Sequence, residues 1–193
     1  MLHEKFKHKN IVLASGSPRR QELLKGLDIP FEIKLKSVDE VYPNSLKAQE
    51  ITNYLSNLKA EAIFSELSDH DILITADTIV WHENKALEKP NDAVHAVEML
   101  KKMSGNTHEV ITSVCIKSKE KQLSFFDTTT VYVKNLTENE INYYVTTYKP
   151  FDKAGAYGIQ EWFGFTAVTK IEGSYFNVMG LPIQKLYEEL VKF

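Results

Sequence analysis

The chain has 193 residues, a hydrophobic fraction of 43% and a net charge of −3, which together predict one globular domain over residues 1–193 with a flexible extension at residues 1–10. The single cysteine excludes an internal disulfide and a cysteine-based zinc cluster, and the slightly negative charge argues against a nucleic-acid partner. Because no stretch approaches the roughly 18 apolar residues of a membrane span, and no secretory signal is present, we expect a cytoplasmic protein without a membrane partner.

The first predicted element is a short apolar strand at Ile11–Leu13, followed by a turn of small residues and a helix. Ser17 has the residue type of an N-cap, and Pro18 suits the first helical position. Arg19 and Arg20 then add positive charge to a helix end that is already positive. Such a start is either a solvated basic surface or an anion site. We favour a phosphate site, because phosphate motifs use this strand–turn–helix setting.

The apolar patterns of the remaining chain alternate between strand and helix, which is typical of an α/β fold. In chain order we predict a strand at Phe31–Ile33, a helix at Ser45–Phe64, a strand at Asp71–Trp81, a helix that Asn91 caps, paired antiparallel strands at His108–Ile116 and Leu123–Val133, a helix at Thr137–Tyr148, and a closing helix from Pro182. In the helix that Asn91 caps, we expect Val94, Val97 and Leu100 to face inward. The strand at 71–81 is apolar on both faces, so we expect it at the centre of the sheet.

An aspartate interrupts that central strand. Thr75, Asp77 and Ile79 share one face of the strand, and the surrounding residues are mostly apolar. An ionised carboxylate there is costly to bury unless it is paired, hydrogen-bonded or bound to a metal. Structural and catalytic roles for Asp77 both stay open at this point.

A lysine borders the apolar face of the helix at 45–64. Lys59 follows Leu55 by four residues and precedes Ala62 by three. The simpler interpretation is that its stem lies on apolar surface while its ammonium reaches water. The alternative places that ammonium at an interior anionic site.

Two further segments carry charged residues in loops. Asp39 and Glu40 form an acidic pair in a turn, where such residues are usually only solvated, and Lys89 precedes a proline after the central strand. A divalent cation that binds phosphates typically takes one or two carboxylates, and Glu40 with Asp77 could supply them. In the loop at 151–164, Tyr157, Trp162 and Phe163 could stack on a base, although core packing is the commoner role.

Several motif blocks identify a family that the chain resembles. They are LASGSPRR at 13–20, VDE at 38–40, LKAEA at 58–62, ADTIV at 76–80, EKP at 88–90, SGNTHEVIT at 104–112, FDKAGAYGIQ at 151–160 and IEGSYFNVMGLP at 171–182. In this order they resemble the Maf family of nucleoside triphosphate pyrophosphatases.

The resemblance implies an α/β fold with a central, curved, mixed sheet flanked by helices, related to the inosine triphosphate pyrophosphatases. It also implies hydrolysis of a nucleoside triphosphate between the α- and β-phosphates, releasing pyrophosphate. Asp77 would be the general base or a metal-linked carboxylate, and Glu40 its acidic partner for Mg²⁺ or Mn²⁺. The phosphates would be held by Ser15, Arg19, Arg20, Lys59 and Lys89.

Gln160 falls where the subgroup that acts on dTTP and UTP carries a glutamine, which implies base recognition at this position. The chain departs from the usual pattern at Glu161, Trp162 and Glu88, so the base pocket is the part of the site most open to change. Two alternatives remain: a nucleotide sensor that regulates cell division through a protein partner, and a phosphatase that releases orthophosphate. The sequence leaves the oligomeric state open, and a homodimer is considered only because two-fold dimers are the commonest soluble oligomers.

Overall fold

A computed structural model describes residues 1–193 and shows one seven-stranded sheet flanked by helices. The strands are β1 (Asn10–Leu13), β2 (Phe31–Ile33), β3 (Asp71–His82), β4 (Lys85–Leu87), β5 (Thr107–Lys117), β6 (Gln122–Val133) and β7 (Val168–Glu172). The helices are α1 (Leu2–Lys5), α2 (Pro18–Lys25), α3 (Gln49–Phe64), α4 (Ala93–Met103), α5 (Glu138–Tyr148), α6 (Trp162–Thr166), α7 (Tyr175–Met179) and α8 (Ile183–Lys192). None of the helices is both long enough and apolar enough to cross a membrane.

The sheet mixes parallel and antiparallel pairing. Its strand order is β2-β1-β3-β5-β6-β7, and β4 pairs with β3 beside this path. β1 runs parallel to both β2 and β3, whereas the pairs β3–β4, β3–β5, β5–β6 and β6–β7 are antiparallel. The predicted mixed sheet flanked by helices is therefore confirmed, and so is the central position of the strand at 71–81.

A gap in the sheet lies beside the middle of β3. Leu13, the last residue of β1, pairs with Ile74, and β4 begins to pair with β3 only at Val80. Residues 75–79 of β3 therefore have a strand partner on one side only, where Asp77 pairs with Ser113 of β5. Ligands in open α/β sheets bind beyond the carboxyl ends of parallel strands, and this gap is such a position.

The side chains of β3 alternate between two core regions. Thr75 and Asp77 face α3: the Thr75 hydroxyl donates to the Ser56 carbonyl at 2.7 Å, and Asp77 contacts a lysine of the same helix. On the opposite face, Ile74 and Ala76 pack in an apolar cluster with residues of α2 and α8. Asp77 consequently reaches the gap from the side that α3 covers.

Two helix boundaries and the orientation of one side chain differ from the sequence predictions. The chain forms a turn before α3, with Ala48 at a φ of 47°, so the helix begins at Gln49 and not at Ser45. Asp92, not Asn91, caps α4 by accepting a hydrogen bond from the His95 amide at 2.8 Å. The predicted inward position of Val94 is wrong, because Val94 is 69% exposed and the buried face of α4 carries Ala96, Met99, Leu100 and Met103.

The N-terminal residues, where the sequence predicts a flexible extension, pack against the C-terminal helix in the structure. Leu2–Lys5 is a short helix, and Leu2 and Phe6 are buried in the cluster that contains Leu186 and Leu190 of α8. Lys5 also donates a hydrogen bond from Nζ to the Val191 carbonyl. The segment is held because it covers apolar surface of the C-terminal helix.

We expect Phe6→Ala to lower the free energy of unfolding by about 3 kcal/mol, because it removes a buried ring and leaves a cavity beside α8. Urea unfolding followed by circular dichroism measures this change, with the exposed neighbour Lys7→Ala as the control. A loose extension would instead give equal stabilities for both variants and the wild type.

Candidate active site

A cavity of about 620 Å³ opens at the gap in the sheet. Its walls come from the turn after β1, the loop between β2 and α3, the middle of β3, the loop after β4 and the loop before α6. All eight site residues proposed from the sequence line it: Ser15, Arg19, Arg20, Glu40, Lys59, Asp77, Lys89 and Gln160. Residues that lie up to 145 positions apart in the chain thus face one space.

Lys59 lies between two carboxylates at the centre of this cavity. Its Nζ is 2.6 Å from Oδ1 of Asp77 and 3.1 Å from Oε2 of Glu40. The Lys59 side chain is only 17% exposed, so the interior anionic site is the interpretation that the structure supports. Burial raises the pKa of Asp77 above its ordinary value, and the neighbouring charges of Lys59 and Arg20 oppose that rise.

The second carboxylate oxygen of Asp77 is available. Oδ1 accepts the hydrogen bond from Lys59, whereas Oδ2 accepts none from the protein and is not fully buried. A water molecule in the cavity could therefore donate a proton to Oδ2. The carboxylate has the arrangement of a group that is held at one oxygen and reactive at the other.

Arg20 links several segments of the cavity wall through hydrogen bonds. Its guanidinium donates to the carbonyls of Gly180 and Ala76, each at 2.8 Å, to Oγ1 of Thr78 at 2.9 Å, and to Oγ of Ser15 at 3.4 Å. The Ala76 carbonyl belongs to the part of β3 that has no strand on this side, so Arg20 replaces the missing ladder partner. These contacts use four of the five N–H donors of the guanidinium.

Arg19 and Lys89 are the cations of the cavity with the fewest contacts to other protein groups. Arg19 contacts only Asp152, at 3.4 Å between Nη1 and Oδ2, and Lys89 is exposed with no acidic partner within salt-bridge distance. Ser15 is buried and its hydroxyl accepts hydrogen bonds from Arg20 and from the backbone N–H of Ser17. The two arginines that the sequence placed in one phosphate cradle therefore have different surroundings.

Gln160 lines the same cavity and presents an unpaired oxygen. Its Oε1 is buried and has no hydrogen-bond partner in the protein. A buried amide oxygen without a partner is costly, and a ligand that donates a hydrogen bond would satisfy it. This favours Gln160 as a ligand contact.

The aromatic residues of the neighbouring loop divide between wall and core. Tyr157 lines the cavity and its hydroxyl is 2.7 Å from Nε2 of His108. Burial lowers the pKa of His108 to about 3, so this ring is neutral near pH 7. Phe163 is buried in the apolar core, and Trp162 packs edge-on against Tyr143 at 5.2 Å. Of the three aromatic candidates, only Tyr157 faces the cavity.

The sequence interpretation missed several wall residues. Lys153 lines the cavity with its ammonium between Asp152 and Glu161, and Tyr42 donates a hydrogen bond to Glu88 at 2.9 Å across the rim. Burial and this hydrogen bond raise the pKa of Tyr42 to about 12, which keeps the phenol a donor. Lys153 lies inside the FDKAGAYGIQ block, so the block itself could have indicated that this lysine belongs to the site.

The acidic residues of the cavity can hold a metal ion only if a bound ligand supplies further donor atoms. Glu40 and Asp77 converge on one cation position, which Lys59 Nζ fills here. No group of three or more His, Cys, Asp or Glu side chains is arranged to hold a metal. Two carboxylates completed by substrate phosphates are a donor set that suits Mg²⁺. The residues thus fit a metal ion that arrives with a phosphate ligand.

Comparison with known proteins gives matches along nearly the whole chain. The family described as Maf-like protein matches residues 10–193. A dTTP/UTP pyrophosphatase from Flavobacterium johnsoniae is 60% identical over 190 residues and covers 98% of both chains. A dTTP/UTP pyrophosphatase from Bacteroides fragilis is 55% identical over 181 residues, with 93% of this chain and 94% of the relative covered. A solved HAM1 protein from Coxiella burnetii covers 96% of this chain and 100% of its own at 14% identity and a TM-score of 0.46.

We expect Lys59→Met to raise the pKa of Asp77 further, because burial remains while the strongest opposing charge is lost. The measurement is the carboxyl carbon chemical shift of Asp77 against pH in metal-free protein. Lys101→Met, which removes an exposed lysine paired with Glu138, is the control. An Asp77 pKa that stays equal to or falls below the wild-type value would contradict the assigned role of Lys59.

Proposed function

Because the chain belongs to the family of Maf-like proteins, we propose that it hydrolyses dTTP and UTP between the α- and β-phosphates to the monophosphate and pyrophosphate. The membership predicted from the motif blocks is confirmed. The observation that carries the proposed reaction is the free Oδ2 of Asp77 in one cavity with Arg19, Lys59 and Lys89. Nothing in the cavity favours the alternative of a regulatory nucleotide sensor.

The proposed chemical step is the attack of water on the α-phosphorus. Asp77 accepts the water proton at Oδ2 while Lys59 holds Oδ1 in place. A bond forms between the water oxygen and phosphorus, and the bond to the bridging oxygen of the β-phosphate breaks. Pyrophosphate departs with the electron pair of that bond.

The negative charge of the triphosphate is the main barrier to this step, and the cations of the cavity can neutralise it. Arg19 and Lys89 are free to contact the phosphates, and Lys59, whose ammonium donates one hydrogen bond to Asp77, has further N–H donors for a phosphate oxygen. Arg20 and Ser15 contribute chiefly by holding the turn that carries Arg19, with one guanidinium N–H left for a phosphate oxygen. Cations placed where negative charge develops stabilise the transition state.

Glu40 and Asp77 are the residues that would hold a divalent cation such as Mg²⁺ or Mn²⁺. When bound, such a cation neutralises phosphate charge and orients the triphosphate. The proposed setting is the cytoplasm, and the proposed assembly is a homodimer.

Base recognition in this proposal depends on Gln160. Uracil and thymine both present an N–H donor between two carbonyls, whereas cytosine presents an unprotonated nitrogen at that position. The unpaired Oε1 of Gln160 would accept a hydrogen bond from the uracil or thymine N–H. This chemistry groups dTTP with UTP and separates them from CTP.

A panel of nucleoside triphosphates tests the proposed activity. The purified protein is incubated with Mg²⁺ or Mn²⁺ and each nucleotide, and pyrophosphate and orthophosphate are measured separately. Release of pyrophosphate from dTTP and UTP is the expected result. Release of orthophosphate alone would identify a phosphatase, and binding without turnover would identify a sensor.

We expect Asp77→Asn to lower kcat for UTP by about 10²–10³, because the amide oxygen is a much weaker base than a carboxylate. Equilibrium binding of a non-hydrolysable UTP analogue should change little. Asp69→Asn, at an exposed position, is the matched control and should keep wild-type kcat. Near-normal turnover in Asp77→Asn would remove Asp77 from the proposed mechanism.

We expect Gln160→Ala to lower kcat/KM for UTP about tenfold relative to CTP, since only the base that donates to Oε1 loses a hydrogen bond. Ribose 5′-triphosphate, which has no base, reports any damage to the phosphate site. An unchanged ratio of UTP to CTP would show that another residue reads the base.

A further inference from the structure

The segment that carries Gln160 is a tight turn. The Glu161 N–H donates to the Gly158 carbonyl at 3.2 Å, which closes a four-residue turn with Gln160 at its third position. Helix α6 packs directly against this turn: a Cβ added at Gly164 would lie 1.7 Å from the carbonyl oxygen of Ile159. The backbone around Gln160 therefore has little room to move.

One hydroxyl holds both ends of this turn. Tyr144 is fully buried on α5, and its hydroxyl accepts a hydrogen bond from the Gly158 N–H at 3.0 Å. The same hydroxyl donates to Oε2 of Glu161 at 2.6 Å. Burial and the hydrogen bond to Glu161 raise the pKa of Tyr144, so the phenol keeps the proton that it donates.

The other oxygen of Glu161 is also engaged. Oε1 is 3.0 Å from Nζ of Lys153, a side chain that is only 9% exposed and that lines the cavity. The two oxygens of Glu161 thus contact two different groups: Oε2 accepts a hydrogen bond from Tyr144, and Oε1 forms an ion pair with Lys153. A neutral amide has one acceptor oxygen and would turn its NH₂ group towards one of these donors.

We propose that Glu161 is a positioning residue for base recognition: by accepting a hydrogen bond from Tyr144 and forming an ion pair with Lys153 at once, it fixes the Gly158–Glu161 turn so that the Gln160 amide faces the base. The inference rests on the proposed base-reading role of Gln160 and adds the group that sets its pose. Glu161 directly follows Gln160 in the chain, so a small rotation of the backbone at Glu161 moves the side-chain amide of Gln160.

The test compares selectivity with base-independent turnover. kcat/KM is measured for UTP, CTP and ribose 5′-triphosphate in the wild type, Glu161→Gln and Tyr144→Phe. Glu138→Gln, which makes the same change in an exposed salt bridge at the start of α5, is the control. We expect the ratio of UTP to CTP to fall about tenfold in Glu161→Gln and in the same direction in Tyr144→Phe. We expect turnover of ribose 5′-triphosphate to change less than about twofold in both variants.

A double variant shows whether Glu161 acts through Gln160. If it does, Glu161→Gln in the Gln160→Ala background causes no further loss of selectivity. A full additional loss in the double variant would overturn the inference, because the two residues would then act independently. So would an unchanged ratio in Glu161→Gln beside a reduced ratio in Gln160→Ala.

The two proposals fail in different ways. If Gln160→Ala keeps the wild-type ratio of UTP to CTP, the base-reading role of Gln160 is wrong and Glu161 has nothing to position. If Glu161→Gln lowers turnover of all three substrates equally, Glu161 supports the fold and does not position the base reader. Tyr144→Phe keeps the ring packing of a buried residue, so it supplies the same test should Glu161→Gln fail to fold.

Discussion

The burial of the Asp77 carboxylate on the central strand, beside a gap in the sheet, is the constraint on which the site depends. A carboxylate in the middle of a sheet loses its hydration, and a nearby cation must compensate for that loss. Lys59 supplies the compensation directly, and the Arg20 guanidinium adds positive charge from the opposite face of the same strand. The gap leaves Oδ2 open to the cavity, so the carboxylate is both charge-compensated and reachable. A strand paired on both sides would have closed that access.

The two consecutive arginines at the start of α2 make different contacts. Neighbouring positions on a helix point about 100° apart, so Arg19 and Arg20 cannot take the same surroundings. Arg20 turns towards the sheet, where it joins the turn after β1, the open edge of β3 and the carbonyl at the end of α7. Arg19 points to Asp152 and remains partly exposed. Charge alone predicted an anion site from both residues, but only the packed sheet determines which arginine is committed to the protein.

Periodicity predicted the long elements and missed those that tertiary contacts create. β3 and β5 extend over 12 and 11 residues, so their apolar patterns rise above chance. β4 has three residues and exists because it pairs with β3, which no local pattern reveals. Lys59 shows the same limit within the site. Its helical position allowed a solvated or an interior ammonium, and the choice depends on Asp77, 18 residues away, which the chain folding brings to 2.6 Å.

The ion pairs around the cavity differ in exposure, and this difference separates a rigid end from an adaptable one. At the proposed base end, near Gln160, Lys153 and Glu161 are 9% and 22% exposed, so solvent screens their attraction weakly and the pair resists displacement. At the phosphate end, Arg19 and Asp152 are 24% and 63% exposed and 3.4 Å apart, an arrangement whose net stabilisation is typically small. Asp152 contacts both cations and so joins the two ends. In the proposed reaction, a nucleotide would therefore draw Arg19 away from Asp152 at little cost while the turn that carries Gln160 keeps its shape. The proposed base selectivity needs that rigidity, and the proposed neutralisation of phosphate charge during cleavage needs a cation that can move.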